Sequence, residues 1–142
     1  MKAKTILIAY QDDSWIGPLL TLLRGTGYRI EATKLVSDVL QKIPGKDPYV
    51  VLLDDEVEGI KAYDLVHLFK KVRPRVQIIV ISSEESIQSA KRLREAGIFY
   101  QAMKPIDSEE IRSAVACAFE KIEREQPEKW FFLSLTPGPA PA

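Results

Sequence analysis

The stretch PYVVLLDD, Pro48 to Asp55, limits the fold more than any other part of the chain. Its apolar run from Tyr49 to Leu53 is too short for a helix and rich in valine and leucine, which reads as a strand covered on both faces. Such a strand belongs inside a parallel sheet flanked by helices, where ligands gather outside the carboxyl ends of the strands. The run stops on two carboxylates, Asp54 and Asp55, so this strand end is a candidate site.

The rest of the chain repeats the pattern. Thr5 to Tyr10 is an apolar run that ends at Gln11-Asp12-Asp13. A helix is expected within Ser14 to Gly25, carrying Trp15, Leu19, Leu20, Leu22 and Leu23. Pro18 requires it either to begin near Gly17 or to begin at Ser14 with a distorted first turn. Tyr28 to Thr33 reads as a second strand. Ser37 is placed to cap a short helix with Val39, Leu40 and Ile43 inward.

Beyond the central strand, Val57-Glu58-Gly59 turns the chain into a helix from about Lys61 to Val72, with Tyr63, Val66 and Phe69 on one face. Val76 to Ile81 is a fourth strand. Ser82 and Glu85 then have capping-box spacing before a helix with Ile87, Ala90 and Leu93 inward. Ile98 to Met103 is a fifth strand. Asp107 and Glu110 open the last helix, whose apolar stripe comprises Ile111, Ala114, Val115, Ala118, Phe119 and Ile122. Five strands alternating with five helices predict an α/β fold: a doubly wound parallel sheet with helices on both faces, in one domain over residues 1–125. Residues 126–142 depart from the pattern and read as a proline-rich tail around the apolar Trp130 to Leu133, expected to pack on this domain or on a partner.

Composition narrows the function. Twenty basic and 20 acidic residues leave no net charge, hence no global field to recruit nucleic acid or an anionic membrane. The single cysteine, Cys117, excludes an internal disulfide framework and reads as a small core hydrophobe. His67 reads as a surface residue. Without a cleavable leader or a transmembrane stretch, a cytoplasmic location is expected. No GxGxxG or GxxxxGK[ST] loop follows the first strand, which argues against a nucleotide binder.

The expected carboxyl edge of the sheet gathers Asp12 and Asp13, Asp54 to Glu56, Ser82 and Lys104. This set suits phosphoryl chemistry. A carboxylate can carry a phosphoryl group as an acyl phosphate, a divalent cation offsets the charge between the two anions, and a hydroxyl and an ammonium orient the phosphoryl oxygens. Taken singly each residue has a plainer role: Ser82 a helix cap, Asp13 a helix-opening acid, Lys104 a loop cation.

Three motifs in this order, PYVVLLDDEVEG, IIVISS and AGIFYQAMKPID, resemble the receiver domains of bacterial two-component response regulators across Lys4 to Glu123. The resemblance implies a flavodoxin-like fold with strand order 2-1-3-4-5. It puts Asp54 at the phosphoacceptor position, Ser82 and Lys104 on the phosphoryl group, and a cis peptide bond before Pro105. By the same likeness the domain is not an enzyme beyond accepting a phosphoryl group. Its implied partners are a sensor histidine kinase or phosphotransfer protein, a downstream protein, and a second copy in a homodimer.

The chain also departs from the pattern. Tyr10 and Gln11 stand where the family has its two metal-binding acids, leaving Asp12, Asp54 and Glu56 as the acids available to Mg2+, with reduced affinity expected. Gln101 replaces the switch aromatic, with Tyr100 just before it. Two functions follow as expectations: a phosphorylatable receiver, or a pseudo-receiver that keeps the fold as a protein-binding module.

Overall fold

The computed structural model describes residues 3–125, so the expectation for the 126–142 tail lies outside the described residues. Five parallel strands form the main sheet: β1 (Thr5–Ala9), β2 (Arg29–Thr33), β3 (Tyr49–Asp54), β6 (Gln77–Ser82) and β7 (Tyr100–Met103), in the order β2-β1-β3-β6-β7. This is the predicted 2-1-3-4-5 order. Between β3 and the next helix lies an unpredicted antiparallel pair, β4 (Glu56–Val57) and β5 (Ile60–Lys61). Glu58 and Gly59 form its turn, both with positive φ (53° and 76°), as a tight primed turn demands.

Helices α1 (Ile16–Leu23) and α5 (Ser108–Arg124) cover one face, and α2 (Val36–Lys42), α3 (Ala62–Val72) and α4 (Ile87–Ala96) the other. Alternate side chains of the inner strands feed the two cores. Ile6, Ile8, Val50 and Leu52 pack with Leu19, Val115 and Phe119, while Leu7, Val51 and Leu53 pack with Val39, Leu65 and Phe69. Burial of each such aliphatic side chain contributes about 1.5–3 kcal/mol. Both faces of β1, β3 and β6 are dry, which explains their continuous apolar runs.

Local details correct several expectations. The first helix opens as a 3-10 turn, Asp13–Trp15, continued by α1, so the distorted start at Ser14 is what accommodates Pro18. Ser37 lies inside α2 and does not cap it: Thr33 Oγ1 accepts from the Leu35 N–H, and Glu58 Oε1 from the Val36 N–H. Ser82 ends a strand, and Ser86 caps α4 by accepting from the Ser89 N–H. Ile87 therefore falls in the first turn and is 86% exposed instead of inward. Cys117 is exposed on α5, outside the buried stripe of Ile111, Ala114, Val115, Ala118 and Phe119. Tyr63 is only partly buried, and His67 is exposed, edge-on to the Tyr63 ring. Asp107 caps α5 as its spacing predicts, accepting from the Glu109 and Glu110 N–H groups.

Candidate functional site at the carboxyl edge of the sheet

The strand ends converge as the topology requires. Asp54, the last residue of β3, is 2% exposed, and both its carboxylate oxygens are engaged. Oδ1 accepts from Lys104 Nζ at 2.8 Å and from the Asp55 N–H at 2.8 Å. Oδ2 accepts from the Gln11 N–H (2.9 Å), the Asp12 N–H (2.9 Å) and the Trp15 indole Nε1–H (3.1 Å). The residues after β1 thus wrap their backbone donors around the end of β3. Lys104 is delivered from β7, where its own N–H donates to Ser82 O and its bond to Pro105 is cis.

Burial pushes the Asp54 carboxyl upward, but the Asp12 N–H, the Lys104 ammonium, the Gln11 N–H and the Trp15 indole outweigh it and hold the group below the usual carboxylate range. Lys104 loses hydration as well, yet its bond to Asp54, with Asp55 and Asp12 nearby, raises it above the usual lysine value. Both groups are charged at neutral pH. They form a largely buried ion pair, with side chains 15% and 3% exposed.

The neighbouring acids are also partnered. Asp12 Oδ1 accepts from the Ser14 N–H and its Oδ2 lies 3.4 Å from Lys104 Nζ. Asp55 Oδ2 accepts from the N–H and hydroxyl of Ser83, Glu56 faces Lys61, and Asp13 pairs with Lys34. A shallow cavity of about 260 Å³ lies over these groups, lined by Gln11, Asp12, Asp54, Asp55, Glu56, Ser83 and Lys104. Ser82 is 2% exposed and its hydroxyl accepts from the Glu84 N–H. Gln11 uses its side-chain oxygen to accept from the Gly59 N–H, and Tyr10 extends the β1 to β2 pairing through its N–H to Thr33 O. Tyr100 and Gln101 lie in β7 beside a separate cavity, and the Tyr100 hydroxyl donates to Glu110.

Sequence reasoning grouped Asp12, Asp54 and Lys104, which the fold brings together, but gave Trp15 no part beyond the first helix. A tryptophan six residues beyond the last residue of β1 stands at the ligand edge of the sheet, and its donor needs a partner once buried. The Ser83 to Asp55 contact was also missed.

The family model for the response regulator receiver domain matches residues 6–116. The chain belongs to this family. This receiver domain is 31% identical over 116 residues to the DNA-binding transcriptional regulator NtrC of Azospirillum brasilense, covering 81% of the chain and 24% of that relative. It therefore spans about a quarter of the length of the curated relatives it matches first. Its fold is that of a CheY-like receiver domain protein from Methanospirillum hungatei (TM-score 0.75, 18% identity, 89% of this chain and 100% of that one). A solution structure of the beryllofluoride-activated NtrC4 receiver domain dimer is equally close (TM-score 0.74, 23% identity, 82% and 97%). Among the described residues no helix is long and apolar enough to cross a membrane.

The donor set of this receiver domain does not fit the Mg2+ ion that the family resemblance implies. Magnesium needs free, hard oxygen ligands at near-octahedral positions. Here Tyr10 and Gln11 supply no charge, both Asp54 oxygens already hold N–H or ammonium donors, and Glu56 faces Lys61. Among the described residues no group of three acids, histidines or cysteines is arranged to hold a metal.

Proposed function

We propose that this receiver domain of a two-component system works as a pseudo-receiver: a protein-binding module whose state does not depend on phosphorylation of Asp54. One observation carries the reading. The carboxylate that would attack a phosphoryl group is buried and held by five donors, and Tyr10 and Gln11 stand where an acidic pair would bring in a cation. An ionised nucleophile needs an open lone pair and an in-line approach. Without a cation, an incoming phosphoryl dianion would face Asp12, Asp55 and Glu56 with Lys104 as the one nearby ammonium in the cavity.

The partners we propose are proteins: a sensor kinase or phosphotransfer protein as a docking partner, a downstream protein, or a second copy of the chain. The dimer in the structure of the NtrC4 receiver domain is consistent with the last. The test is a titration of the wild-type domain with millimolar MgCl2 followed by amide shifts. Unchanged resonances at Gln11, Asp12, Asp54 and Asp55 are expected. Saturable shifts centred on Asp54 would defeat the proposal.

A second reading, phosphorylation at Asp54, is supported by the Lys104 to Asp54 pair, in which an ammonium lies 2.8 Å from the carboxylate that would carry the phosphoryl group. It requires the donors on Asp54 to let go of one oxygen.

A further inference from the structure

We infer that Trp15 is the positioning residue of Asp54, and that the two form a side-chain staple holding the β1 to α1 segment against the end of β3 in place of a bridging cation. The inference deepens the pseudo-receiver reading and rests on it. Trp15 ends the 3-10 turn, is 4% exposed, and sits in the core formed with Ile6, Ile8, Val50 and Leu52. Its ring is thus fixed by packing before its N–H is considered. Among the described residues that N–H is the one side-chain donor on Asp54 Oδ2, the other two being backbone groups of Gln11 and Asp12.

The turn that carries Trp15 is itself set by Asp12, whose carboxylate accepts from the Ser14 N–H. Lys104 Nζ stands 5.6 Å from the centroid of the indole ring while donating to the other oxygen of Asp54. Carboxylate, indole and ammonium therefore contact one another in a closed triangle spanning the segments after β1, β3 and β7. An indole can donate a hydrogen bond but cannot ligate a metal, so a site built this way keeps its shape without one. The closed loop from Gln11 to Trp15 depends on Asp54, which makes the carboxylate a structural anchor for that loop.

The test uses the indole proton as its own reporter. In the full chain, the Trp15 Nε1–H resonance, assigned by its loss in Trp15→Phe, is expected to exchange with solvent at least tenfold more slowly than a free indole. Its exchange is expected to be indifferent to MgCl2 and to accelerate at least tenfold in Asp54→Ala. Thermal unfolding of Trp15→Phe, Asp54→Ala and the double variant is expected to be sub-additive, because each substitution breaks the same contact. Exchange at the free-indole rate in the wild type would overturn the inference, whether or not the variants fold. Fully additive losses would overturn it too. A phosphoryl adduct on Asp54 in a protein with a protected indole would refute the pseudo-receiver reading and leave the staple standing.

Discussion

Asp54 combines low exposure with a full set of donors, and that combination determines what its substitution does. Removing one partner of a buried ion pair leaves the other charge uncompensated, at a cost of about 3–5 kcal/mol. Asp54→Asn, the substitution that ordinarily only silences a phosphoacceptor, is therefore expected to lower stability by about 3 kcal/mol, measured by urea unfolding. Lys104→Met should cost a similar amount, since Asp54 would keep its N–H donors and lose its counter-charge. The pH dependence follows from the directions of the shifts. Asp54 is held below its ordinary 3.8, so its contribution is complete above that value and is lost as pH falls through the folded-state pKa. Lys104 is held above its ordinary 10.5, so its contribution is complete below that value and is lost as pH rises through the folded-state pKa. The pair is worth most across the range between, and Asp54→Asn is expected to flatten the acid side of the stability curve. A variant that loses stability with acid as steeply as the wild type would contradict this assignment.

Individual elements depend on their caps and turns. Asp107→Ala removes the acceptor for two N–H groups at the start of α5 and should cost about 1 kcal/mol by denaturant unfolding. Gly59 has a φ of 76°, and its N–H donates to Gln11 Oε1, so Gly59→Ala should cost about 1–2 kcal/mol through backbone strain alone. An unchanged midpoint in either variant would show that the cap or the turn is idle. These elements also show what the sequence could reveal. Strands buried on both faces announce themselves as unbroken apolar runs, and Asp107 with Glu110 marks a helix start, so both were legible. Ser37 and Ser82 have the right chemistry for capping, but Thr33, Glu58 and Ser86 take the caps because of where the loops bring them, which spacing within one segment does not encode. Ile87 misled for the same reason: the loop after β6 runs on to Ser86, and the register of α4 shifts with it.

At the scale of the whole molecule, the alternating units were readable because a parallel sheet needs a covering helix after each strand. The positions of Asp12, Asp54 and Lys104 followed from the topology. What did not follow was the occupancy of the Asp54 oxygens, because the Trp15 contact depends on a 3-10 turn that brings an indole to the ligand edge. The proposed pseudo-receiver function rests on that occupancy. The most direct measurement is mass spectrometry of the full chain after incubation with a small phosphodonor and MgCl2, beside a standard receiver modified under the same conditions. The account predicts an unmodified chain; a phosphoryl adduct that disappears in Asp54→Asn would contradict it.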